Sequence, residues 1–143
     1  MRFWDTSAVV PLLVIEPASA TVRRLADADP ALVAWWATRT ECISALARRR
    51  REGQLTARSE AATRRALDAL AGSWSEILPG DGLRQRAERL LAVHPLRAAD
   101  AFQLAAALVW ARGEPRGRTL VSFDDRLREA AEREGFEVVP ERR

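Results

Sequence analysis

The stretch that decides the fold is Arg2-Phe3-Trp4-Asp5-Thr6-Ser7-Ala8-Val9-Val10. Arg2 to Asp5 reads as a short buried strand ending at a carboxylate, and Thr6 to Glu16 as a helix. Pro11 should kink or restart that helix, because proline has no N–H to donate and its ring crowds the preceding turn. The same order recurs near the other end of the chain. Thr119 to Ser122 reads as a strand, Asp124 to Glu134 as a helix stopped by Gly135, and Phe136 to Val139 as a last strand.

The intervening sequence alternates in the same way. Pro17 to Ala28 carries Val22, Leu25 and Ala26 at helical spacing, and Ala31 to Trp35 is apolar and compatible with a strand. Thr38 opens a helix that runs through Arg51 and is ended by Gly53, followed by an Ala-rich helix over Thr56 to Ala71 and a short strand over Trp74 to Leu78. Asp81 to Val93 places Leu83, Ala87, Leu90 and Leu91 on one helix face and is broken by His94-Pro95. Arg97 to Arg112 is the most apolar helix, with Ala101, Leu104, Ala105, Leu108 and Val109 expected to be buried. Short apolar strands alternating with helices predict an α/β protein whose parallel sheet is covered on both faces. With no internal repeat, low-complexity tract or long linker, residues 1–143 read as one domain. Ligands of such sheets bind beyond the carboxyl ends of the strands, which is where the acids have to be sought.

Composition narrows the chemistry. Cys42 is the only cysteine, so no internal disulfide and no Cys-based zinc site can form, and it reads as a small buried helix residue. His94 is the only histidine and cannot supply a His cluster. A metal would have to be held by oxygen ligands, which points to Mg²⁺ or Mn²⁺ rather than zinc. No apolar run approaches the ~20 residues of a membrane span. The opening residues meet Asp5 too early for the apolar core of a signal peptide, so a cytoplasmic location is expected. The net charge is +3, and all 23 basic residues are Arg. A basic surface around an acidic centre suits a polyanionic substrate.

Four acids stand out, each with a plain structural reading beside the functional one. Glu41 lies three residues after Thr38, the spacing of a capping box. Asp124 and Asp5 each follow a strand and precede a helix, as ordinary N-caps do. Asp100 lies in the first turn of its helix, where the dipole favours negative charge. Taken together, Asp5 and Asp124 terminate apolar strands, and Glu41 and Asp100 head apolar helices. Four carboxylates converging on one cleft would repel one another and resist ionising together. A divalent cation removes that penalty, and one or two such ions held by carboxylates can support in-line hydrolysis of a phosphodiester. Thr6 and Ser7 are placed to orient Asp5, and Ser122 to do likewise for Asp124, or all three to act as simple capping residues.

These residues resemble the PIN-domain family, and within it the VapC-type toxins of bacterial toxin–antitoxin pairs. Phe3-Trp4-Asp5-Thr6-Ser7-Ala8 is similar to the family's opening strand and acid, and Thr40-Glu41 before Ser44-Ala45-Leu46-Ala47-Arg48 to its Glu-bearing helix. Leu96-Arg97-Ala98-Ala99-Asp100-Ala101, running into Leu104-Ala105-Ala106-Ala107, resembles its most recognisable segment. Leu120-Val121-Ser122-Phe123-Asp124-Asp125-Arg126-Leu127 resembles its closing Thr/Ser-x-Asp motif, with Ser122 where Thr is commoner. Asp125 stands beside Asp124, so either could be the fourth acid, and motif position favours Asp124. The resemblance spans nearly the whole chain. It implies a three-layer α/β/α sandwich with a short, mostly parallel central sheet. It implies dependence on Mg²⁺ or Mn²⁺ and endoribonuclease activity on tRNA, rRNA or mRNA. It also implies homodimerisation and inhibition by a small cognate DNA-binding antitoxin. A catalytically silent PIN-like module that binds RNA or protein is the alternative, and the presence of all four acids weighs against it.

Two further features have double readings. Arg48 to Arg51 is a basic helix end, favoured by the dipole, or a set of phosphate contacts, and Arg97, one turn before Asp100, is the better placed to reach an acid or a phosphate. Trp35 and Trp36 follow a strand on the presumed active side. Stacking on unpaired bases is the functional reading and core packing the structural one for at least one of them.

Overall fold

The structure is a computed structural model that describes residues 1–142. Five strands form one sheet: β1 (Arg2–Trp4), β2 (Leu32–Trp35), β3 (Ser75–Ile77), β4 (Thr119–Val121) and β5 (Glu137–Val139). Their order is β3-β2-β1-β4-β5, and every neighbouring pair is parallel. The chain therefore works outward from β1 in one direction, then returns and works outward in the other. The reversal falls between β1 and β4, the place where a doubly wound sheet opens a crevice beyond its carboxyl ends.

Seven helices cover the sheet: α1 (Thr6–Leu13), α2 (Ser19–Ala28), α3 (Thr38–Arg51), α4 (Ala57–Ser73), α5 (Asp81–Val93), α6 (Ala98–Trp110) and α7 (Asp125–Glu134). Side chains alternate across the strands and so divide the interior into two cores. Phe3, Val33, Trp35 and Leu120 face one core, which α5, α6 and α7 complete with residues such as Leu90, Leu104 and Leu127. Trp4, Leu32, Ala34 and Val121 face the other, completed by α1 to α4 with Val9, Val22, Leu46 and Leu67. This is a three-layer α/β/α sandwich.

The helix ends show what the sequence left open. α3 and α5 have the bounds expected of them, whereas α1 passes through Pro11 and ends at Leu13. Ser19 is responsible: its hydroxyl donates to the Val14 carbonyl and accepts from the Glu16 N–H, both at 2.9 Å, which closes the turn before α2 starts. α7 is capped by Asp124 and stopped by Gly135 at φ 110°, a backbone angle that favours glycine. Buried Arg128 of α7 donates to the carbonyls of Ser122 and Pro140, at 2.6 Å each, and so ties that helix to the ends of β4 and β5. No helix among the described residues is long and apolar enough to cross a membrane.

Candidate active site

Asp5, Glu41, Asp100 and Asp124 line one cavity of about 560 Å³ at the carboxyl ends of the central strands. Each arrives from a different element. Asp5 is the residue after β1 and caps α1, and Asp124 follows β4 and caps α7. Glu41 and Asp100 sit in the first turns of α3 and α6. Asp125 lies outside that cavity: it is exposed and pairs with Arg142 at 3.2 Å. Of the two adjacent acids, the capping residue Asp124 lines the cavity of the other three, while Asp125 lines the adjoining cleft.

Hydrogen bonds hold the strand ends in place. Ser7 Oγ donates to Asp5 Oδ1 at 2.8 Å, and Ser7 N donates to Asp5 Oδ2 at 3.3 Å. Phe123 N donates back to Ser7 Oγ at 2.8 Å, and Asp124 N donates to Ser122 Oγ at 3.1 Å. The two hydroxyls lie 3.4 Å apart, so the turns after β1 and β4 are joined through serine side chains. Ser7 orients Asp5 as expected. Ser122 fixes the Asp124 backbone rather than its carboxylate, and Thr6 serves Glu41 instead of Asp5.

Glu41 corrects one structural reading. The N-cap of α3 is Ala37, and the Glu41 N–H bonds to the Ala37 carbonyl, so Thr38 and Glu41 form no capping box. Both side chains instead turn toward Gln103, which is fully enclosed on α6. Its Nε2 lies 3.0 Å from Thr38 Oγ1, 3.0 Å from Glu41 Oε2 and 3.2 Å from Thr6 Oγ1. Gln103 also lines the acid cavity, and the sequence reading did not single it out. The signal was there: a lone amide in an Ala/Leu helix, three residues after Asp100 and therefore on the same face. Replacing Gln103 with Leu keeps the volume and removes the donor that steadies Glu41. If the acids are catalytic, the expected result is a fall of about 10- to 100-fold in activity, with circular dichroism unchanged.

Burial and mutual repulsion disfavour full ionisation of the acids. Burial pushes the Asp5 carboxyl up to about 7, against the opposing hydrogen bonds from Ser7, and the charge of Asp124 adds to the rise. Burial also raises Asp100, helped by the charges of Asp124 and Glu41 and opposed by Arg97. Cys42, beside Glu41, is pushed up to about 12 by burial and is no nucleophile. Among the described residues, no three His, Cys, Asp or Glu side chains are close enough to form a ready-made metal cage. The four acids share a cavity without closing on one point, so the expectation of a single converged cluster is not met. The donor set still fits Mg²⁺ or Mn²⁺. Mg²⁺ keeps several waters and is typically held through one or two carboxylates plus substrate phosphate, rather than by an all-protein cage.

Basic residues rim the acids. Arg48 and Arg49 line the same cavity, with Arg49 paired to Glu16. Arg97 and Arg126 line an adjoining cleft that shares Asp100 and Asp124. Two residues of the basic run at the end of α3 therefore border the cavity, Arg48 exposed and Arg49 half-buried.

A family model described as PIN domain matches residues 2–133. No curated protein is similar enough in sequence to match. Among solved structures, VapC20 of Mycobacterium tuberculosis, described as a Sarcin-Ricin loop cleaving toxin, is similar with a TM-score of 0.69 at 20% identity, over 91% of this chain and 95% of that one. FitAcB from Neisseria gonorrhoeae gives a TM-score of 0.69 at 16% identity, covering 98% and 97%. A toxin–antitoxin complex from Klebsiella pneumoniae gives 0.61 at 18% identity, covering 87% of each chain. At these identities the structural likeness establishes the shared fold.

Proposed function

We propose, from the premise that this chain belongs to the PIN-domain family, that it is a Mg²⁺- or Mn²⁺-dependent endoribonuclease and the toxin of a type II toxin–antitoxin pair. One observation carries the reading: Asp5, Glu41, Asp100 and Asp124 come from four separate elements to line a single cavity at the sheet's switch point. The fold is similar to that of a toxin described as cleaving the Sarcin-Ricin loop and to a chain of a toxin–antitoxin complex, which supports the toxin assignment and a small antitoxin as partner. A homodimer belongs to the same proposal.

In this reading Asp5 and Asp100, the two carboxylates that burial and neighbouring charge hold above their ordinary range, are the principal ligands. Glu41 and Asp124 complete the negative field. A bound divalent cation would supply charge neutralisation at the phosphoryl oxygens and activation of water. Ser7 holds Asp5 in one rotamer, while Thr6 and Gln103 hold Glu41, so the acids are preorganised before substrate arrives. Arg48 and Arg97 flank the acids from two sides and are placed to hold the phosphates on either side of the scissile bond.

The test is direct. Purified protein is expected to cut RNA transcripts when Mg²⁺ or Mn²⁺ is supplied, to stop on chelation with EDTA, and to resume on adding metal back. Transcripts left whole under all three conditions would overturn the proposal.

A further inference from the structure

Next to the acid cavity, and sharing Glu41 with it, lies a second cavity of about 610 Å³ lined by Trp35, Trp36, Phe102, Leu83 and Arg84. The mechanism above makes no use of it. Its volume lies within the ~300–1,000 Å³ typical of small-ligand sites. Trp35 is buried and stacks on Phe102, with centroids 5.8 Å apart and planes 6° from parallel. Trp36 stands at 69° to Trp35, and half of its surface is exposed. Its backbone is anchored, because its main-chain N–H bonds to the Ile77 carbonyl at 3.0 Å, continuing the β2–β3 ladder by one residue. Gly80 also lines this cavity.

We infer that this aromatic cavity is a subsite for one unpaired nucleobase of the RNA strand, adjacent to the scissile phosphate, with Trp36 as the stacking platform. The inference rests on the proposed ribonuclease activity and names how substrate is selected. Three observations favour RNA over a peptide or a second copy of the chain. First, an exposed indole held edge-on by its neighbour offers a flat face, and every nucleobase has a flat face to match. Second, Glu41 lines both cavities, so a base lodged here would neighbour the acids. Third, the acid cavity shares Glu41 with the aromatic one and Asp100 and Asp124 with the cleft of Arg97 and Arg126, and Arg48 lies beside the acids, while Arg84 at the aromatic end is paired with Asp81 at 2.9 Å. Arg48, Arg97 and Arg126 thus border the acidic centre, complementing a backbone that carries one phosphate per nucleotide around a metal-assisted cut. A base stacked inside a duplex cannot enter, so the subsite demands a single-stranded or splayed nucleotide.

The experiment compares the parent with Trp36→Ala and Trp36→Phe on a short single-stranded oligoribonucleotide that the parent cuts, and on the same strand carrying one abasic nucleotide at successive positions. Trp36 is exposed, so neither variant should disturb folding. Trp36→Ala is expected to raise KM about tenfold, and Trp36→Phe less. In the parent, one abasic position beside the cut should carry a similar penalty, and that penalty should vanish in Trp36→Ala, a coupling that a general structural role would not produce. Unchanged KM with the abasic penalty intact would overturn the inference. So would a Trp36→Ala variant that alters the oligomeric state in sedimentation while leaving KM alone, since the cavity would then be a contact between copies. If the parent cuts no RNA, the ribonuclease reading fails by itself, and titration with oligouridylate and oligoadenylate decides the subsite. Quenching of tryptophan fluorescence in the parent and its loss in Trp36→Ala would uphold it, and no quenching would end it.

Discussion

Asp5→Asn is expected to abolish RNA cleavage while raising the melting temperature of the metal-free protein. Asp5 is buried, and burial lifts its carboxyl from 3.8 to about 7. The folded state therefore holds this proton more tightly than the unfolded chain does. Below pH ~4 both states are protonated and the stabilisation is fully present. It is lost as pH rises through about 7, where the folded protein must carry a buried charge. At pH 8 the penalty is on the order of 4 kcal/mol. Asparagine is neutral at every pH and nearly the same shape, so it removes that penalty. Calorimetry should show the variant gaining several degrees at pH 8 and little at pH 4. Mn²⁺ should raise the melting temperature of the parent at pH 8 and leave that of the variant where it is. Cleavage should fall at least about a hundredfold, because a ligand is lost and even an outer-shell partner is commonly worth 10- to 100-fold. A variant that loses both stability and activity would show Asp5 to be a structural cap, and undiminished cleavage would remove it from the site.

The sequence announced where the acids would be but not what would hold them. Asp5 and Asp124 were legible because a strand that ends in a carboxylate and runs into a helix has few ways to fold, and a parallel sheet sends both strand ends to the same edge. The bounds of α3 and α5 were legible because their stops, Gly53 and His94-Pro95, are local. The end of α1 was not, since it is set by Ser19, a residue of the next helix, reaching back to Val14. Glu41 was read at capping-box spacing from Thr38, yet both side chains answer to Gln103, more than sixty positions away. Spacing along a chain reports which face a residue takes. It does not report which partner arrives from across the sheet. The tryptophan pair shows the same boundary: adjacent residues of a strand end must diverge, but only the packing of Phe102 selects Trp35 for the interior and leaves Trp36 exposed.

Trp4→Ala is expected to show the reverse pattern, a large loss of stability with a smaller effect on chemistry. Trp4 is fully buried on the central strand and fills the core beneath α1 to α4 together with Val9, Leu46 and Leu67. Truncating such a side chain costs about 3–5 kcal/mol, against a total stability of ~5–15 kcal/mol for a domain of this kind. The melting temperature should drop by roughly 10–20 °C. Trp4→Phe separates two contributions to that figure. Among the described residues the buried Trp4 Nε1 has no hydrogen-bond partner, a cost of ~1–3 kcal/mol that phenylalanine removes, while the smaller ring loses packing of comparable size. The two oppose each other, so Trp4→Phe should lie within about 1.5 kcal/mol of the parent. Asp5, next in the chain, is held by its N–H to the Val121 carbonyl at 3.2 Å and by Ser7, not by the indole. Below its melting transition Trp4→Ala should therefore retain cleavage that Asp5→Asn has lost. A melting temperature for Trp4→Ala within a few degrees of the parent would mean that the face of β1 opposite α6 is not the packed layer described above.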